Sequence, residues 1–331
     1  MGVMIDDVLY VIGNGFDIHH GVWSRYSDFA NFLKINNYSL YDKFTTICHV
    51  DFLWSEFERA LAYVNRDYFL GIGEVMMPYG WDEEKSYSEL FLPADYVRGE
   101  AECFWKEVQK WFRKWTRQIR WFDKYNSKKI RIDDYARFIT FNYTPFLETV
   151  YGIPAENILY MHGKAINKHN LPVIGHDGSD TFELWSKSNP KGYKRYYTSA
   201  RSVLPEEEMM TEAVEEYFDL SRKPVADILK KNESFINDLY DIRTIIILGH
   251  SLGDVDMPYF KAIHAANDNP AQIKWYMSYY GDLEKEVLEK KLRSNVVGDE
   301  ATITMFEIED LQMRKINNCS PHPCCKFLTN V

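Results

Sequence analysis

The sequence predicts an α/β fold, a mostly parallel, Rossmann-like sheet carrying helical insertions. Short β-branched, apolar runs recur along the chain, each bounded by Gly or Asn. Longer segments of helical periodicity separate them, the alternation expected when parallel strands are joined by crossover helices. No internal repeat or low-complexity tract interrupts this pattern. Taken in order, VLYVIG predicts a strand over 8–13, RFITF over 137–141, ILYM over 158–161 and TIIIL over 244–248. IKWYM and TITMF predict two more at 273–277 and 302–306. Apolar spacing at three and four residues predicts helices over 26–33, 52–64, 101–122, 206–220, 225–239, 257–266 and 283–292. Residues 65–135 and 164–242 fit the alternation poorly and are read as helical insertions, forming a cap or subdomain on one elaborated domain that spans 1–331.

Composition narrows the class. The 331 residues are 46% hydrophobic and 27% charged, ordinary for a globular protein, and 16% aromatic, which predicts a ring-rich core or pocket. A net charge of −10 argues against generic coating of nucleic acid. Within it, residues 106–131 hold ten Lys or Arg against Glu107 and Asp123. Phe104, Val108, Trp111, Trp115 and Ile119 have core spacing there, leaving Lys110, Arg113, Lys114, Arg117 and Arg120 outward. That face reads as solvated, as docked on the acidic helix 206–219, or as a contact for nucleic acid. The cysteines (Cys48, Cys103, Cys319, Cys324, Cys325) are odd in number and lack paired C-x-x-C spacing, so neither a disulfide framework nor a four-thiolate zinc site is expected. His322 beside Cys324 and Cys325 reads as part of a frayed tail in preference to a small metal site. The opening MGVMIDDVLYVIG lacks the basic start and small-residue cleavage site of a signal peptide, so none is expected, and no apolar run approaches ~20 residues. The expectation is a cytoplasmic, reduced protein without a membrane partner.

Four motifs fall at strand ends. Gly13-Asn14-Gly15 follows the first strand, with Asp17 two residues on. Glycines there allow positive φ and close approach of a ligand, and a following helix start suits phosphate, although G-N-G is not the full dinucleotide fingerprint. Asp17 reads either as a helix cap or as a ligand for a ribose hydroxyl. Asn142 directly follows the second strand in FITFNYT, where Thr144 suits a cap ahead of Pro145. His162 stands between the third strand and Gly163, and is either structural or placed as a general base. The fourth stretch, Gly249-His250-Ser251-Leu252-Gly253, spells the G-x-S-x-G of a nucleophile elbow. An esterase also needs an acid and then a histidine downstream. Here His264 falls inside the following helix, His322 lies in the tail, and Asp254 and Asp256 crowd negative charge at the oxyanion position. The esterase therefore stands as an alternative reading. All four motifs sit at carboxyl ends of strands, where open α/β sheets bind ligands.

These residues carry a resemblance. IGNGFDIHHGVWSRYSDF, WSEFERAL, FNYT, MHG and LGHSLGDVDMPYF resemble, in order and spacing, the bacteriophage abortive-infection AbiH family. The matching segments cover about a third of the chain. That family is in turn similar to the sirtuin-like NAD-consuming fold. The resemblance implies that Gly13, Asn14 and Gly15 correspond to its first loop, Asn142 to the active-site asparagine, and His162 to the catalytic histidine. It further implies that Gly249 and Ser251 correspond to the Gly-x-Ser nucleotide loop. The zinc ribbon of deacetylases in that fold is missing, so the implied activity is NAD hydrolysis at the nicotinamide–ribose bond, with NAD as substrate and no metal. The chemistry suits these residue types: a neutral pyridine leaves without an acid, Asn142 holds water or a ribose hydroxyl, and His162 takes a proton. The expected partners are NAD or a related nucleotide, a phage-derived trigger or companion defence protein, and further copies of the chain. A sensor that binds a nucleotide or nucleic acid without turnover is the alternative from a different class.

Overall fold

The computed structural model describes residues 7–77, 86–119, 128–166, 171–178 and 205–311. In chain order β1 (Val8–Ile12) leads into α1 (Asn14–His19), followed by α2 (Tyr26–Asn36), α3 (Tyr38–Ile47), α4 (Phe57–Ala60), α5 (Arg66–Val75) and α6 (Tyr87–Thr116). Then come β2 (Arg137–Thr140), β3 (Ile158–Tyr160), α7 (Pro205–Leu220), α8 (Val225–Lys231) and α9 (Glu233–Asn237). The chain closes with β4 (Thr244–Leu248), α10 (Met257–Ala265), β5 (Lys274–Tyr279), α11 (Asp282–Leu292) and β6 (Ile303–Glu307). β5 starts at Lys274 because Ile273 closes the 3-10 turn Pro270–Gln272. The predicted helices over 52–64 and 225–239 are each broken into shorter pieces.

The six strands form one all-parallel sheet in the order β3-β2-β1-β4-β5-β6. This is the Rossmann order, and the chain reverses its direction of growth between β1 and β4. All five residues of each central strand are buried, as they must be when both faces of the sheet are covered. Each fully buried Val, Leu or Ile there contributes about 1.5–3 kcal/mol. Among the described residues no helix is long and apolar enough to cross a membrane.

The chain divides into two compact units. One comprises Met1–Arg25, Thr116–Pro172 and Val225–Val331 and contains the sheet; the other comprises Tyr26–Trp115 and Val173–Pro224 and is helical. The helical unit thus begins at Tyr26, well before residue 65, because α2 and α3 supply rings to the core that α6 builds. Phe29 and Phe44 meet Phe57, and Phe104 and Phe112 of α6 pack on the same two rings. Its buried ions are paired: Lys223 Nζ donates to Glu58 Oε2 at 2.6 Å, and the Arg66 guanidinium grips Glu215 at 3.0 and 3.2 Å. The acidic helix α7 is engaged in this unit by Arg66 and Arg98. In the basic stretch, Lys106 and Lys110 pair with Glu102 and Glu107 of their own helix, and the Arg117 guanidinium donates to the Ala165 carbonyl. Arg120 lies outside the described residues, as do Cys319, His322, Cys324 and Cys325.

At the reversal point the loops after β1 and β4 are pressed together. Gly13 N–H donates to Leu248 O at 2.9 Å and Gly15 N–H to Gly249 O at 2.7 Å. A Cβ on Gly13 would stand 2.5 Å from Gly249 O, and one on Gly249 would stand 2.1 Å from Phe16 N. Gly249 also holds φ at +62°, in the left-handed region. These glycines are required by one another's backbones. Gly249→Ala is therefore expected to destabilise the sheet unit by roughly 2–4 kcal/mol, from strain and backbone overlap. Chemical denaturation checks this, and a loss below about 0.5 kcal/mol would contradict the packing described.

Candidate functional site

The sequence-selected residues gather at the carboxyl ends of β1 to β4, in two groups, one hydrogen-bonded around Asp17 and one of imidazoles facing Asp256. The first is built on Asp17. This residue lies inside α1, whose N-cap is Gly13, so it does not cap the helix. Buried to 1% exposure, it accepts from Asn142 Nδ2 at Oδ1 (2.8 Å) and from Thr144 Oγ1 at Oδ2 (2.5 Å). Thr144 is thereby spent on Asp17 and not on a helix start. Asn142 gives its second amide hydrogen to Gly13 O at 3.1 Å. With both hydrogens committed, Asn142 Oδ1 is buried and has no partner. Reversing the amide would face that oxygen toward the Gly13 carbonyl and the Asp17 carboxylate, so the polarity is fixed by its surroundings. Asn142 thus offers an acceptor, which calls for a ligand bearing a donor such as water or a hydroxyl. Burial pushes the Asp17 carboxyl up to about 7, against the opposing hydrogen bonds from Thr144 and Asn142.

The second group centres on Asp256. It occupies the N-cap position of α10 but makes no capping hydrogen bond. Its carboxylate instead faces two buried imidazoles, His162 Nε2 at 3.3 Å from Oδ1 and His250 Nε2 at 3.6 Å from Oδ2. His250 Nδ1 accepts the Leu252 N–H at 2.9 Å, so its proton is carried on Nε2. The Phe141 ring lies against both imidazoles, 5.1 Å from His162 and 4.5 Å from His250, and stacks on Phe260 at 5.7 Å. Asn142 and His162 are therefore at the ends of neighbouring strands but in different groups, with Phe141 adjoining both.

Other expectations are met differently. The Asn14 side chain is consumed locally, donating from Nδ2 to Ser24 O at 2.9 Å and accepting from Ser24 Oγ at 2.6 Å. The N–H groups of Gly13, Gly15 and Gly249 are not held out as a phosphate cradle, since Leu248 O, Gly249 O and Ser278 Oγ take them. Asp17 is buried and accepts one hydrogen bond at each oxygen, from Asn142 and Thr144. Ser251 is exposed, the non-glycine residue at positive φ is Leu252 (φ 50°), and α10 begins only at Met257. A nucleophile elbow needs the serine itself on a tight strand-to-helix turn, so this loop is not one. In IHHG, His20 is a structural clamp: Nδ1 bonds Phe16 O and Nε2 bonds Tyr151 Oη, both at 2.7 Å, and burial lowers its pKa to about 4. Among the described residues no group of three or more His, Cys, Asp or Glu is arranged to hold a metal ion.

Sequence reasoning missed His250 as a participant and took Asp256 only for unfavourable charge. The signal was present in GHSLGDVD, where a histidine and an aspartate six residues apart flank a turn. With this geometry in hand, comparison with known proteins is informative. The model of one family, described as bacteriophage abortive infection AbiH, matches residues 9–279, from β1 through β5. Comparison with curated proteins gives no match.

The Asp17 environment has a consequence for stability. Its carboxyl moves from 3.8 to about 7 on folding, so between those values the native state keeps a proton that the unfolded chain has lost. Its stabilising contribution is full below about pH 4 and falls as pH rises through 7. The stability of wild type minus that of Asp17→Asn should decline by up to about 1.4 kcal/mol per pH unit across that window, then level off. Paired denaturant titrations from pH 4 to 8 measure it, and a flat difference would contradict the shift.

Proposed function

This chain belongs to the bacteriophage abortive infection AbiH family of antiphage proteins, and we propose that within that role it hydrolyses NAD at the nicotinamide–ribose bond in the cytoplasm. The observation that carries this reading is the buried, unpartnered Asn142 Oδ1 at the strand-order reversal, where open parallel sheets bind nucleotides. An acceptor held rigidly by Gly13 O and Asp17 is suited to orient a water or a ribose hydroxyl. Water attacks the anomeric carbon, the C–N bond breaks, and its electron pair leaves with nicotinamide as a neutral pyridine. The proton released from water passes to His162, which Asp256 holds. The transition state gathers positive charge on the ribose, and a carboxylate at Asp256 favours charge of that sign nearby. Asp17 acts by positioning Asn142. Ser251, exposed in the loop after β4, is assigned to nucleotide binding.

The test is nicotinamide release from NAD by purified protein, followed by chromatography, alone and in cells under phage challenge. Asn142→Ala and His162→Ala are expected to lower the rate at least ~100-fold with the proteins still folded. Ser251→Ala should raise KM several-fold and leave kcat within about twofold. A wild type that binds NAD or nucleic acid without releasing nicotinamide in either setting would replace the enzyme with a sensor. Labelling of Ser251 by a fluorophosphonate would restore the esterase.

A further inference from the structure

We infer that the phenol of Tyr160 is a second ligand-binding group of the site, and that Asn142 Oδ1 and Tyr160 Oη together hold the hydroxyls of a ribose. Tyr160 is the last residue of β3 and is in register with Thr140 of β2, and register partners present their side chains on one face of a sheet. Thr140 in turn ties down the turn that carries Asn142, its Oγ1 accepting the Asn142 N–H at 3.1 Å. Both residues are more than nine-tenths buried, Asn142 to 5% exposure and Tyr160 to 8%. Asn142 Oδ1 and Tyr160 Oη are each without a hydrogen-bond partner. Buried polar atoms are ordinarily satisfied, and here two at the ends of neighbouring strands are not.

Their surroundings fix what each can offer. Asn142 Oδ1 only accepts, because both amide hydrogens are spent on Gly13 O and Asp17 Oδ1. Tyr160 keeps a hydrogen to give. Burial, and then the Glu148 and Asp17 carboxyl groups, hold the ionisation of the phenol above the usual tyrosine range, so it stays neutral. The Lys164 ammonium stands 5.1 Å from the centroid of its ring and is itself paired with Glu148, which restrains the ring. A neutral donor and a fixed acceptor on adjoining strands match a group that both gives and takes a hydrogen bond. A hydroxyl does this, whereas a phosphate oxygen has no hydrogen for Asn142. The vicinal diol of a ribose brings one hydroxyl for each group. The choice of a ribose over another polyol rests on the NAD-hydrolase reading.

Tyr160→Phe removes the hydroxyl and leaves the ring. Without ligand its Tm should equal that of the wild type or exceed it by up to about 3 °C, since an oxygen with no protein partner is costly to bury. A lower Tm, or failure to fold, shows the hydroxyl to be bonded within the protein and overturns the inference. For binding the probe is ADP-ribose, which keeps the ribose and has no nicotinamide to lose. AMP, which lacks the distal ribose, is the control. Calorimetry is expected to give a Kd about 10-fold weaker in Tyr160→Phe for ADP-ribose and unchanged for AMP. ADP-ribose lacking the 2″ or the 3″ hydroxyl of the distal ribose completes a cycle. One of the two should bind about 10-fold more weakly to the wild type and show no further penalty in Tyr160→Phe. Equal ADP-ribose affinity in the two proteins, or a wild type that binds no ADP-ribose, overturns the inference. A wild type indifferent to both deoxy probes does so too and leaves the two atoms to a structural water.

Turnover separates this inference from the reading it rests on. Nicotinamide release with an unchanged KM for NAD in Tyr160→Phe refutes the role of Tyr160 and leaves the hydrolase standing. Binding of ADP-ribose that depends on Tyr160, without nicotinamide release from NAD, refutes the hydrolase and leaves the ribose site standing.

Discussion

The contact between the glycine loops after β1 and β4 is the constraint on which the site depends. Strand order reverses there, and two crossover connections leave the sheet in opposite directions, the place where open parallel sheets bind ligands. In this chain the backbones close that space partly themselves, with Gly15 N–H on Gly249 O and a Gly249 Cα that admits no side chain. The closure fixes the start of α1, and with it Asp17, relative to β4. It also fixes the turn from which His250 and Leu252 are presented. Both polar groups of the site thus inherit their geometry from a junction with no functional side chain of its own.

Burying these groups is costly, and the structure meets the cost unevenly. Asp17 is fully satisfied by Asn142 and Thr144, yet its carboxyl still sits near 7 because desolvation outweighs two good hydrogen bonds. Asn142 keeps one oxygen unsatisfied, a penalty of about 1–3 kcal/mol that a folding-only design would avoid. Leu252 adds about 1 kcal/mol or more of backbone strain. The fully buried central strands can tolerate such losses. Local rules broken together at one sheet edge are the pattern of a working site, since nothing about stability asks for them.

The strands were legible in the sequence because a strand buried on both faces is spelled by an uninterrupted β-branched run, as in TIIIL and VLYVI. Helices were legible where apolar spacing was long and unbroken. α3 was passed over although Leu40, Phe44 and Ile47 keep helical spacing and Asn37 caps the Leu40 N–H, because its aromatic and β-branched residues weaken the local preference. α5 was hidden by Gly71 and Gly73, the latter placed where a Cβ would meet Met210 and Val97. For the site, residue identity and strand-end position were what singled out Asn142 and His162, which the fold puts at the ends of the neighbouring strands β2 and β3. What the sequence could not reveal was the direction of each hydrogen bond. Asp17 looked available to a ribose until Asn142 and Thr144 were found on its two oxygens, and the glycines looked available to phosphate until they were found on each other.

Hydrogen-bond direction also limits what this edge can do. Toward a ligand Asn142 can only accept, as long as Gly13 O and Asp17 stay where they are. It cannot reverse that role without moving backbone that the glycine junction holds in place. A ligand held by Asn142 Oδ1 must therefore bring a hydrogen, and His162 has the Asp256 carboxylate 3.3 Å from its Nε2. In the proposed reaction this edge would hold a water or hydroxyl by its hydrogen at β2 and use a base at β3. It favours removal of a proton from a nucleophile over delivery of one to a leaving group. A substrate whose leaving group departs neutral without protonation, such as a pyridinium nucleotide, is the kind it suits.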